Sequence, residues 1–266
     1  LQLSHAGYVA GAQKLRKPKG KGVVAFSRLV FGELEGKLIP LKKMSVSRKS
    51  WDSFELMRVA AQEGDAQAQC YLGVCYQNGQ GVAQDHAEAV KWFRKAAEQN
   101  DPVAQCYLGV CYWVGHGVPQ EFGEAAKWLR EAAEQGDPAA QCNLGVLYEN
   151  GQGVPQNYAE AAKWYRESAE RGYPSAQFNL GVFFETGQVV EQNFQEAAKW
   201  YRLAAEQELS EAQCNLGLCY QNGRGVEKDP SQAVKWFIRA ARQGNKDAQH
   251  NLGLHYAAEE AAQTTE

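Results

Sequence analysis

The chain has 266 residues, 44% of them hydrophobic, and a formal net charge of −3, which is length enough for a sizeable buried surface. No stretch approaches the roughly 20 apolar residues of a membrane-spanning helix, and residues 1–13 are too polar for a signal-peptide core. Charge is unevenly spread: residues 1–50 hold 11 Lys/Arg against Glu33 and Glu35, net +9, and the remaining 216 hold 17 basic and 29 acidic side chains, net −12. A basic arm therefore precedes an acidic body.

Residues 1–50 contain no repeat. The Lys/Arg/Pro/Gly tract at 14–22 lacks the apolar content to order itself, while 23–31 and 37–41 carry the pattern of a short hairpin spanning 23–41. The segment is expected to be basic, mostly irregular and loosely attached. The competing readings are that it folds back on the acidic body, contacts an external anion such as nucleic acid or anionic lipid, or is an untranslated leader. Leu1 opens the chain, so it is processed, a fragment, or translated from upstream of the usual start; Met44 is an alternative start.

From residue 51 to 266 the chain repeats itself every 36 residues. Trp92, Trp128, Trp164, Trp200 and Trp236 keep that spacing, as do Gly73, Gly109, Gly145, Gly181, Gly217 and Gly253. A fixed period of this size marks a solenoid in which each unit covers its neighbour's apolar face. A half repeat at 52–64 comes first, with Leu56 in the Trp column and Ala60-Ala61 at a double-alanine site. Full repeats follow at 65–100, 101–136, 137–172, 173–208 and 209–244, then a terminal helix at 245–262.

Each unit reads as two helices. The first opens near Asp65/Ala66, with Pro102, Pro138 and Pro174 at the equivalent first helical position, where a missing N–H costs nothing. Ala68, Leu72, Cys75 and Tyr76 form one apolar stripe. Gly73 sits mid-helix at a cost of about 1 kcal/mol relative to alanine, which predicts another backbone passing close by. Asn78-Gly79 ends the helix and a Gly-x-Gly-Val loop follows. The second helix opens on a capping box, Asp85-x-x-Glu88, repeated as Asn157-x-x-Glu160 and Asn193-x-x-Glu196, with Asp229-Pro230-x-Gln232 a variant; the fourth residue is expected to reach back to the cap amide. Ala89, Trp92, Phe93, Ala96 and Ala97 give its apolar stripe, and Gly64, Gly136, Gly172 and Gly244 close it. The fourth unit is irregular, with Val189 for the second loop glycine and Glu208 for the closing one.

This pattern, A-x-x-Q-x-x-L-G-x-x-Y-x-x-G-x-G-V followed by A-x-x-W and A-A, resembles the Sel-1-like repeat (SLR), a relative of the tetratricopeptide repeat, over about residues 52–256. The resemblance implies an all-α, right-handed superhelical solenoid of antiparallel helix pairs that acts as a protein-binding scaffold.

The seven cysteines fall in two columns, Cys70, Cys106, Cys142 and Cys214, then Cys75, Cys111 and Cys219, with His250 and His255 in the same columns. Positions five apart lie about 140° apart around a helix, so such a pair grips no common ion, and no C-x2-C spacing occurs. The cysteines read as small core fillers, with no metal or other cofactor expected. Unpaired thiols favour a reducing, cytoplasmic compartment, with secretion or a periplasmic location left open by the uncertain start. The histidines have no Ser/Asp partner at a recognisable spacing, and the loop Gly-x-Gly lacks the Lys-Ser/Thr of a phosphate loop. Lys91, Lys127, Lys163, Lys199 and Lys235, with Arg94, Arg130, Arg166 and Arg202, read as an outer face neutralised by helical pairs such as Glu88–Lys91 and Arg94–Glu98; an acidic body makes a nucleic-acid stripe the weaker reading.

Binding is expected on the first helices, at positions 70, 74 and 77 of each unit, which by resemblance line a concave groove. Unit by unit these are Cys70/Val74/Gln77, Cys106/Val110/Trp113, Cys142/Val146/Glu149, Phe178/Val182/Glu185, Cys214/Leu218/Gln221 and His250/Leu254, an apolar floor with a polar rim. Trp113 stands where other units have Gln or Glu; it is either an aromatic anchor for a partner or packs on the adjacent loop. The leading reading is a non-enzymatic scaffold that holds a peptide or protein segment in this groove. The alternatives are enzyme-like activity such as the β-lactam hydrolysis of some SLR proteins, for which no Ser-x-x-Lys motif is present, and anion or nucleic-acid binding through the basic arm.

Overall fold

The computed structural model describes residues 54–263; the basic segment and the hairpin expected at 23–41 lie outside them. The described residues form twelve helices and no strand. A lone helix α1 (Phe54–Gln62) precedes five pairs: α2 (Ala66–Asn78) with α3 (His86–Ala97), α4 (Pro102–Val114) with α5 (Phe122–Glu134), α6 (Pro138–Asn150) with α7 (Tyr158–Glu170), α8 (Pro174–Thr186) with α9 (Phe194–Glu206), and α10 (Ser210–Asn222) with α11 (Pro230–Arg242). Helix α12 (Lys246–Gln263) follows. Each helix packs on the one before it and the one after it, as a solenoid of helix pairs requires.

Local chemistry sets the ends. Asp65, Asp101 and Asp137 accept from the amides of Ala68, Ala104 and Ala140 at 2.9, 2.7 and 2.7 Å, satisfying donors that the first turn leaves open. The first helices α2, α4, α6, α8 and α10 end on glycines with φ between 67 and 81°, the left-handed conformation that glycine adopts without a steric penalty. At the second helices Asp85, Asn157, Asn193 and Asp229 accept from the amides of Glu88, Glu160, Glu196 and Gln232 at 3.0–3.1 Å. The other half of the expected capping box is replaced. The cap amides donate to the carbonyls of Tyr76, Tyr148, Phe184 and Tyr220, each at 2.9 Å, which ties each second helix to its first. Glu88 is thereby left to pair with Lys91 at 2.7 Å.

The mid-helix glycines accommodate mainly a side chain. A Cβ at Gly73, Gly109, Gly145, Gly181 or Gly217 would stand 2.5–2.7 Å from Phe93, Leu129, Tyr165, Tyr201 or Phe237 of the same unit's second helix. Each unit thus seats one large side chain in a notch that only glycine leaves open. Between units, the expected stripes meet: Met57 and Ala61 of α1 pack on Ala68, Leu72 and Cys75 of α2. Where the closing glycine is missing, Asn100 and Glu208 adopt left-handed backbones at φ 67 and 66°, and Glu208 sends its carboxylate to Arg239 and to Gln213 at 2.8 Å.

Candidate protein-binding face

The stripe expected to floor the groove lies deeper than the sequence suggests. Cys70, Cys106, Cys142, Phe178 and Cys214 are buried, as are Val74, Val110, Val146 and Val182; Leu218 is half-buried, and only His250 and Leu254 at the last helix are exposed. The cover comes from the next unit. Asn143, Asn179 and Asn251 set their side-chain amides 3.9, 3.9 and 3.8 Å from the sulfurs of Cys106, Cys142 and Cys214. All seven cysteines are buried free thiols. Burial pushes Cys111, Cys214 and Cys219 up to about 12, so they are protonated at neutral pH and poor nucleophiles.

Position 77 faces the unit's own second helix. Glu149 Oε2 accepts from the Tyr165 hydroxyl at 2.7 Å and Glu185 Oε2 from the Tyr201 hydroxyl at 2.6 Å. Units with Phe93 or Phe237 instead carry Gln77 or Gln221, and Leu129 is matched by Trp113. The carboxylates thus stand where a buried tyrosine needs an acceptor, a correspondence that could be read from the repeat columns. Burial raises Glu149 to about 7 despite that bond. Trp113 is 2% exposed and donates Nε1–H to Gln152 Oε1 in the next unit's loop at 3.1 Å. Of the two roles its position allowed, loop packing is the one the geometry displays.

The columns that reach the surface of the first helices are offset from the expected ones. Asn78, Asn150, Thr186 and Asn222 are exposed, and Tyr71, Asn143, Asn215 and Asn251 are half-buried, with Tyr107 and Asn179 set deeper. On a helix, positions 71, 74 and 78 share a face, so the buried valines form the layer beneath these polar side chains.

A second row runs through the interior. Gln69, Gln105, Gln141, Gln177 and Gln213 each donate Nε2–H to the carbonyl of Ala61, Ala97, Ala133, Ala169 or Ala205 in the preceding helix, at 3.0–3.4 Å. Their Oε1 atoms accept from Gln99, Gln135, Gln207 and Gln243 at 2.7–2.9 Å. The rung for Gln141 is missing, because Arg171 stands in that column and Gln141 Oε1 has no partner among the described residues.

On the second helices Lys91, Lys127, Lys163, Lys199 and Lys235 are exposed. Arg94, expected to pair with Glu98, donates instead to the Tyr112 hydroxyl at 2.5 Å; Arg130 and Arg202 do the same to Tyr148 and Tyr220 at 3.0 and 2.8 Å. Phe184 breaks that series opposite Arg166. Among the described residues no group of three or more His, Cys, Asp or Glu is arranged to hold a metal ion, and no helix is long and apolar enough to cross a membrane.

A family model described as Sel1 repeat matches residues 66–101, 102–137, 138–173, 174–209 and 210–245. The chain is similar to a solved protective antigen of uropathogenic Escherichia coli strains that displays an SLR fold, at 40% identity and TM-score 0.68, over 75% of this chain and 43% of that one. It therefore spans less than half of that antigen's length. A Sel1 repeat protein from Oxalobacter formigenes is similar at 36% identity and TM-score 0.70, over 77% of this chain and 90% of that one. A sel1 repeat protein from Klebsiella pneumoniae shares the fold at 20% identity and TM-score 0.52, over 75% of this chain and 97% of that one. No curated protein matches.

Proposed function

Because the chain belongs to the Sel1 repeat family, whose members are generally protein-interaction scaffolds, we propose that it is a non-enzymatic scaffold holding a peptide or protein segment along its first helices. The observation that carries this reading is the 36-residue register of polar side chains that reach the surface of the first helices: Tyr71, Asn143, Asn215 and Asn251 in one column, Asn78, Asn150, Thr186 and Asn222 in the next. Asn and Tyr both donate and accept hydrogen bonds, as an extended backbone requires of its receptor, and a solenoid repeats that chemistry at a fixed interval. The buried, protonated thiols support a role without a cysteine nucleophile, and seven unpaired cysteines support a reducing, cytoplasmic setting.

The test uses affinity capture with the full chain, followed by peptide mapping after cross-linking. Asn150→Arg with Thr186→Arg, both at exposed positions, should release the captured partner while leaving helicity unchanged. Lys127→Glu with Lys163→Glu on the second helices should retain it. Release by the second-helix pair alone would move the binding face and refute the proposal.

A further inference from the structure

Within the five full units, charge is segregated between the two kinds of helix. Helices α2, α4, α6, α8 and α10 contain no Lys, Arg or His, whereas α3, α5, α7, α9 and α11 each carry basic residues. Glu185 pairs with Arg224 at 3.8 Å and Glu149 is tied to Tyr165, whereas the cap carboxylates Asp65, Asp101 and Asp137 form a row with no cation on the helices they open. Such a row favours a basic segment and repels an acidic one.

The row has a focus. Tyr71 and Tyr107 occupy the column that later units fill with Asn143, Asn179, Asn215 and Asn251. Tyr107 stacks flat on Phe93, centroids 4.9 Å apart at 7°. It is 7% exposed, and its hydroxyl has no hydrogen-bond partner among the described residues although it lies within electrostatic reach of Asp137 and Tyr71. A buried hydroxyl left unpaired is costly and marks a place where a ligand group can bind. Asp101 and Asp137 are close enough to influence each other, and desolvation pushes both above the usual carboxylate range. Each accepts from the first-turn amides of its helix, and Asp137 also accepts from the Cys106 thiol; a carboxylate's four lone-pair sites leave room for a further donor.

Building on the scaffold reading, we propose that the cluster of Tyr71, Tyr107, Asp101 and Asp137 receives a lysine or arginine side chain of an extended peptide. Two carboxylates beside a hydroxyl that can accept suit a cation, and the attraction compensates two carboxylates that burial has desolvated.

The full chain is titrated into a fluorescein-labelled peptide alternating lysine and serine, with glutamate–serine and glutamine–serine peptides alongside, and anisotropy is read at physiological salt. The lysine peptide should bind and the glutamate peptide should not. Asp101→Asn with Asp137→Asn keeps the caps, since Asn serves as well there, and should weaken the lysine peptide about tenfold or more. Tyr107→Phe removes only the hydroxyl and should weaken it several-fold, with melting unchanged or raised. Glu134→Gln with Glu170→Gln removes the same charge from second helices and should have no effect. Equal weakening by that control, no weakening by the Asp pair, or equal binding of the glutamate peptide overturns the proposal. If the glutamine peptide binds as well as the lysine peptide and is lost on Asn150→Arg with Thr186→Arg, the cation site fails while the scaffold reading stands.

Discussion

The missing rung of the glutamine row makes a quantitative prediction. Gln141 is 1% exposed and its Oε1 is without a donor among the described residues, because Arg171 replaces the glutamine that serves Gln69, Gln105, Gln177 and Gln213. Arg171 spends Nη1 on the Glu167 carbonyl at 3.2 Å, in an exposed setting. Arg171→Gln restores the donor. Satisfying a buried acceptor is worth about 1–3 kcal/mol, and the exposed bond given up contributes little. A net gain of about 1–2 kcal/mol corresponds to a rise of about 2–8 °C in melting temperature for a chain of this size. Thermal melts followed by circular dichroism, with amide exchange in α6 and α7, measure it. The converse change, Gln135→Arg, orphans Gln105 Oε1 and should lower stability by a similar amount. If Arg171→Gln leaves the melting temperature unchanged, or Gln135→Arg costs nothing, the row is not a stabilising network and the reasoning fails.

Trp113→Ala should cost about 3–5 kcal/mol as a buried aromatic truncation, read as a lowered urea midpoint. Gly145→Ala should destabilise, because its Cβ would stand 2.7 Å from Tyr165, whereas Gly253→Ala, in the same column with nothing within 4 Å among the described residues, should stabilise α12 by about 0.5–1 kcal/mol; melts of the pair check the opposite signs. The raised carboxyl of Glu149, at about 7, gives stability that is fully present below the unfolded value near 4.5 and is lost as pH rises to about 7, by at most roughly 3 kcal/mol. Glu149→Gln should flatten that pH window and be the more stable protein at pH 8, measured by denaturant midpoint against pH. The seven buried thiols should react with a disulfide reagent only on unfolding, which timed thiol titration with and without denaturant resolves.

Periodicity alone determined much of this protein. The 36-residue spacing of Trp92 to Trp236 and Gly73 to Gly253, with caps at Asp65 and Asp85 and stop signals at Gly79, specifies the helices, their order and their pairing. These are local or nearest-neighbour features, and a solenoid is assembled from nearest-neighbour contacts. The glycine column was legible as a close approach, but its occupant was not, since a missing Cβ admits a ring as readily as a backbone. Depth could be read only from the tertiary structure. A helical wheel places positions 70 and 74 on an open face, yet the following unit lays Asn143 over Cys106 and Asn179 over Cys142, and Gln152 reaches back to Trp113. Those contacts join residues 37 to 39 positions apart, across a junction between units that no single unit contains. The neighbouring unit likewise supplies Tyr112, to which Arg94 donates. Which side chains of a repeat meet the solvent is thus set by the neighbour that covers it, and so only the stacked structure reveals the surface a partner would meet.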